Sequence, residues 1–160
     1  MSFSSELKAF TLKVEKNSEK LFRGTYLALF SSIIKRSPVG NPDRWVVWDK
    51  RTGRYLPYEL VHGLPDGYVG GTFRGNWQTD INKIPNGTLD TLDKTGTVTI
   101  AKARLEASRA KIGDSIYAIN NMPYAISLEN GWSSKAPRGM VKITAAEFER
   151  EINKQARKLK

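Results

Sequence analysis

The sequence predicts an α+β fold, an antiparallel sheet of about four strands packed against a long N-terminal helix and a C-terminal helix, with a long loop excursion after the first helix. Three observations lead there. The chain has 160 residues, 39% hydrophobic and 26% charged, which is the size and balance of one ordinary domain spanning residues 1–160. Apolar residues recur at helical spacing at both ends of the chain. Between them, short segments that read as strands are separated by Gly, Asn and Asp turns.

The first helix is read from Leu7, Phe10, Val14, Leu21, Phe22, Tyr26, Leu29, Phe30 and Ile33, and it ends at Ser37-Pro38 because the residue before a proline disfavours helical backbone. Asn17 and Ser18 interrupt the stripe and Gly24 costs about 1 kcal/mol of helix propensity, so a bend or break is expected between Asn17 and Gly24. Proline and glycine then crowd the stretch from Val39 to Gly71, which reads as loop, with 41–68 as the excursion. Inside it, Trp45 to Asp49 and Tyr55-Leu56 flank Lys50-Arg51-Thr52-Gly53, the pattern of a small hairpin. Phe73, Trp77 and Thr79 alternate with Arg74, Asn76 and Gln78 as a half-buried strand would. A second strand is expected over Thr97 to Ala101. The stretch from Ala101 to Lys111 reads either way, and β-rich pattern resumes at Ser115 to Ile119. Pro123 to Gly131 looks like a short helical turn with proline near its start and glycine at its end. The final helix is read from Val141, Ala145, Phe148, Ile152, Ala156 and Leu159, with Thr144 and Glu147 spaced as a capping box.

Lys and Arg total 26 against 16 Asp and Glu, a formal charge of +10. Such a surface calls for an acidic partner, whether nucleic acid, an anionic membrane or an acidic protein. The absence of cysteine excludes disulfides, thiolate catalysis and Cys-based zinc sites. The N-terminus lacks the basic start and apolar stretch of a secretory signal, and no apolar run approaches the ~18 residues of a membrane span. The expectation is a soluble protein made in the cytoplasm, with no membrane partner.

Few residues offer chemistry. Asp93-Lys94-Thr95-Gly96-Thr97 matches the phosphorylated motif of cation pumps, but the membrane helices and nucleotide domain of a pump do not fit in this chain, and a polar turn is the simpler reading. The single histidine, His62, lies in the loop-rich stretch. No phosphate-binding glycine loop and no calcium-loop spacing occur. The sequence therefore predicts no enzyme, no metal and no cofactor.

Three stretches together, with a fourth closing them, resemble a family. They are Ser37-Pro38-Val39-Gly40, then Gly70-Gly71-Thr72-Phe73-Arg74-Gly75-Asn76-Trp77-Gln78, then Asn120-Asn121-Met122-Pro123-Tyr124-Ala125-Ile126-Ser127-Leu128-Glu129-Asn130-Gly131, closed by Ala136-Pro137-Arg138-Gly139-Met140-Val141. In order and spacing this set resembles the neck or tail-completion proteins of tailed bacteriophages, the small components that join head to tail. The likeness covers most of the chain from Ser37 onward. Compact members of that family run from Ser-Pro-Val through Asp-Thr-Gly to the arginine and tryptophan, whereas this chain carries the excursion from Asn41 to Tyr68.

The resemblance implies a structural virion protein that forms a homo-oligomeric, hexameric ring at the head-proximal end of a long tail, assembled in the host cytoplasm. Its implied partners are tail terminator or tail-tube proteins on one side and head connector or stopper proteins on the other. Closed rings join unlike patches on neighbouring subunits, and Trp, Tyr and Arg are enriched where interfaces are strongest. The candidate interface residues are accordingly Trp45, Trp48, Arg74, Trp77, Tyr124, Glu129 and Trp132. Because DNA crosses the neck, Lys102, Arg104, Arg109 and Lys111 are candidates for non-specific phosphate electrostatics in the channel. Two alternatives stay open: a tail terminator ring that stops growth of the tail tube, and a small basic nucleic-acid-binding module.

Overall fold

Helix α1 runs from Phe3 to Arg36. The structure is a computed structural model and describes residues 3–40, 46–57 and 70–159. After α1 come strands β1 (Val46–Asp49) and β2 (Arg54–Pro57), the short helix α2 (Thr72–Gly75) and strand β3 (Trp77–Ile81). Helix α3 (Thr97–Ala107), strand β4 (Ile116–Asn120) and helices α4 (Ala125–Glu129), α5 (Val141–Ala146) and α6 (Phe148–Arg157) complete the order. The fold is α+β, and among the described residues four strands form two antiparallel pairs. β1 pairs with β2, and β3 pairs with β4 from Trp77 opposite Asn120 to Ile81 opposite Ile116.

The N-terminal helix is assigned without interruption from Phe3 to Arg36, so the chain does not break between Asn17 and Gly24. Gly24 faces α6, where a Cβ would stand in ordinary contact 3.4 Å from Gln155 Oε1, and α1 packs along α3, α5 and α6. Side-chain bonds fix those contacts. Arg36 clasps the Glu147 carboxylate at 2.9 and 3.0 Å and also reaches Thr144 Oγ1. Arg23 Nε donates to the Ala110 carbonyl at 2.6 Å, and the Tyr26 hydroxyl meets Thr79 Oγ1 at 2.7 Å.

The hairpin expected around Lys50 to Gly53 is present, closed by Asp49. The Asp49 carboxylate accepts the Arg51 N–H at 2.9 Å and the Thr52 hydroxyl at 2.6 Å. Trp45 and His62 lie outside the described residues.

Three segments differ from the sequence expectation. Thr97 to Ala101 is the first half of a helix and not a strand. Thr99, Ala103 and Ala107 are buried at a spacing of four, and the Asp93 carboxylate binds the first turn, accepting the Gly96 and Thr99 N–H groups at 2.7 and 2.8 Å. Capping of this kind overrides the local alternation of β-branched residues. The strand expected from Phe73 begins only at Trp77, because Gly71 (φ 113°) starts a helical turn and the Gly75 N–H closes it on the Gly71 carbonyl. At the C-terminus, Thr144 and Glu147 form no capping box. Helix α5 has already begun at Val141, Thr144 Oγ1 donates back to the Met140 carbonyl, and Glu147 sits at the break between α5 and α6.

The core gathers Phe30, Ile33 and Ile34 of α1 with Phe73, Trp77, Ala103, Ala136 and Met140. Each large side chain fully buried there contributes about 1.5–3 kcal/mol of burial free energy. The α2–β3 corner is thereby held between the C-terminal half of α1 and the loop that leads into α5.

Candidate functional site

Residues that are distant in sequence converge where α1 ends. Ser37 follows its last turn, and its hydroxyl donates to the Ile33 carbonyl at 2.9 Å while accepting the Trp77 indole N–H at 2.8 Å. Trp77 is buried, edge-on to both Phe30 and Phe73. Arg74 reaches over the same corner, donating to the carbonyls of Lys35, Ser37 and Lys94. A guanidinium on the last carbonyls of a helix satisfies acceptors that have no partner within the helix and complements its dipole. Burial lowers the Arg74 pKa, and the nearby Asp93 charge partly offsets this.

The Asp93 carboxylate is fully engaged. Its two oxygens accept the N–H groups of Gly96 and Thr99 and the hydroxyls of Thr95 and Thr99. Burial pushes this carboxyl up, but those bonds outweigh burial and hold it below its ordinary range. In the pump-like motif this aspartate would be the phosphate acceptor. Here it is a buried helix-capping group.

A second carboxylate performs a similar task at longer range. Glu129, at the end of α4, accepts the N–H groups of Met140, Val141 and Lys142 at 2.9 to 3.0 Å, closing the loop between α4 and α5 onto the start of α5. Burial raises the Glu129 carboxyl, and the backbone bonds with the Lys142 charge bring it below its ordinary range. Its folded pKa thus lies below its unfolded one, so its contribution to stability is fully present above the unfolded pKa and is lost as pH falls through the folded one. Glu129→Gln is expected to cost about 1–2 kcal/mol near neutral pH and to flatten the acid limb of the stability curve. Urea unfolding of both proteins between pH 3 and 7 measures this; parallel curves would remove Glu129 from the role.

Amides secure the intervening loop over residues 82–92. Buried Asn76 exchanges two bonds with Leu89, its Oδ1 accepting the Leu89 N–H and its Nδ2 donating to the Leu89 carbonyl. Asn121 donates to the carbonyls of Pro85 and Gly87, and Asn120 donates to the Phe73 carbonyl. Asn76 and Ser37 were not singled out by the sequence as site residues. A buried amide facing a loop thirteen residues away leaves no periodic signal.

The seven candidate interface residues therefore divide. Arg74, Trp77 and Glu129 direct their polar atoms into the chain and frame the surface from within. Trp48 is half exposed, edge-on to Tyr55 on the hairpin. Tyr124 lies against Phe73 with its ring partly exposed. Trp132, just past α4, is 81% exposed, and Ile126 on α4 is 73% exposed. Trp48, Ile126 and Trp132 thus carry exposed apolar surface.

The basic candidates also divide. Arg109 pairs with Glu106 at 2.8 Å, and the Lys111 backbone N–H donates to the Asp114 carboxylate at 2.7 Å. Lys102 and Arg104, exposed on α3, form no ion pair among the described residues. Arg104 flanks an apolar groove with Ile100 and Leu105. Leu105 is 69% exposed, and its exposure was hidden in the sequence by the ambiguity between strand and helix over this segment.

Among the described residues no group of three or more His, Cys, Asp or Glu side chains is placed to hold a metal ion, and no helix is long and apolar enough to cross a membrane. Comparison of the chain with protein-family models, with curated proteins and with solved structures finds no match.

Proposed function

We propose that this chain is a structural protein of the head–tail junction of a long-tailed phage, acting in tail completion through a ring-shaped, hexameric oligomer and without catalysis. The observation that supports this reading is that the blocks carrying the resemblance to neck proteins meet at one place. Ser37 bonds Trp77 and Arg74, and a Cβ at Gly70 would lie 2.3 Å from the Gly40 carbonyl oxygen. Asn120 bonds Phe73, and Glu129 gathers the N–H groups of residues 140–142. Blocks that are mutually bonded in this way form one framework, and that framework presents Tyr124, Ile126 and Trp132 outward. Exposed aromatic and aliphatic groups on a rigid support suit a ring contact in which one patch meets a different patch of the neighbour.

The test is joining in vitro. Heads and tails prepared from the phage that encodes the chain, but lacking it, should unite into infectious particles when the purified protein is added; separate heads and tails after addition would refute the reading.

The positive charge has a specific place in this proposal, in that Lys102 and Arg104 would face DNA in the channel or an acidic neighbouring ring. Replacing Lys102, Arg104, Arg109 and Lys111 with Gln is expected to leave stability within about 1 kcal/mol, since all four are exposed and surface changes are small. Joining or DNA retention should fall several-fold, as judged by infectivity. Full infectivity of the variant would remove α3 and the segment after it from that role.

A further inference from the structure

The first half of α1 stands clear of the body. Residues 3–16 are all exposed, and partial burial begins at Asn17. On this arm, about 20 Å long at helical rise, Phe3, Leu7, Phe10 and Val14 are 81, 54, 64 and 48% exposed. Their spacing of four, three and four is that of a coiled-coil seam.

We propose that this arm pairs antiparallel with the same arm of a second copy. In that arrangement Phe3 packs against the partner's Val14 and Leu7 against the partner's Phe10, so a large and a smaller side chain meet in every layer. Glu6 flanks the seam between Phe3 and Leu7 and faces the partner's Lys13, and the two-fold axis repeats the pair. On the other flank Ser4 faces the partner's Thr11, so no like charges meet.

Length favours the same arrangement. The partner's Phe3 comes opposite Val14, just before α1 enters the body, which leaves the two bodies at opposite ends of the pair. A parallel pairing would place Glu6 against the partner's Thr11 without an ion pair and bring both bodies to one end. The contact is isologous and closes at two copies. It is therefore distinct from the contact that would build a ring, and it stands or falls independently of the proposed function.

Sedimentation equilibrium of the full chain at low salt tests it. The unaltered protein should associate through a dimer. Glu6→Lys and Lys13→Glu should each weaken the dimer about tenfold, because both symmetric pairs become repulsive. The double variant, which inverts the pairs, should recover to within about threefold of the unaltered chain. Both positions are exposed, so circular dichroism should show all the proteins folded alike. A monomeric unaltered chain, an association that either single swap leaves unchanged, or a double variant no tighter than the singles would overturn the proposal.

Discussion

Trp77→Ala is expected to lower stability by about 3–5 kcal/mol, roughly 10 °C in melting temperature for a domain of this size. The side chain is 7% exposed, with its ring edge-on to Phe30 at 6.2 Å and to Phe73 at 6.1 Å. Truncation therefore removes both the burial and the contacts of a large ring, and leaves a cavity between α1 and the α2–β3 corner. Trp77→Phe separates the contributions. It keeps an aromatic ring but removes the indole N–H that binds Ser37 Oγ, and should cost about 1–2 kcal/mol, since Ser37 still donates to the Ile33 carbonyl. Thermal and urea unfolding measure both. A loss below about 1 kcal/mol for the alanine variant would mean that Trp77 is not part of the framework.

The second large effect is expected at Gly75. A Cβ built there would lie 2.0 Å from the Thr91 carbonyl oxygen and 2.7 Å from its carbon. Both are backbone atoms, so no side-chain rotation relieves the clash. Either α2 or the 82–92 loop must move, and that motion pulls Asn76 away from Leu89, where its amide holds two short bonds. Gly75→Ala should cost about 3 kcal/mol or more and expose the loop to limited proteolysis. Gly87→Ala is the control. Its φ is +76°, but its Cβ would meet nothing within 4 Å, so it should cost only the left-handed backbone penalty of about 1–2 kcal/mol. Equal losses at the two positions would contradict the close approach of α2 to the loop.

The fold was legible where a local signal and the tertiary structure agree. Proline after Ser37 ends α1, Asp49 and Gly53 bracket the hairpin turn, and Pro123 with Gly131 frames α4. It was illegible where a distant group decided the outcome. Thr97 to Ile100 alternate like a strand, but Asp93 caps them into a helix whose buried stripe is Thr99, Ala103 and Ala107. Phe73 and Trp77, four apart, share a face in either kind of element, so their spacing did not separate a strand from a helical turn followed by a strand. Within the site, sequence identified the residue types but not their exposure. Trp77 and Trp132 look alike in a chain and are 7 and 81% exposed in the fold, because Trp77 has Ser37 for a partner forty residues away. The arm of α1 shows the converse. Its apolar residues continue the helical spacing of the rest of α1, and the structure leaves them exposed.

The central claim is the role at the head–tail junction, and electron microscopy of lysates from a phage with an early stop codon in this gene tests it most directly. The prediction is DNA-filled heads beside separate tails of normal length. Overlong or irregular tails would contradict completion and indicate the terminator ring, and normally joined virions would contradict any role at the junction.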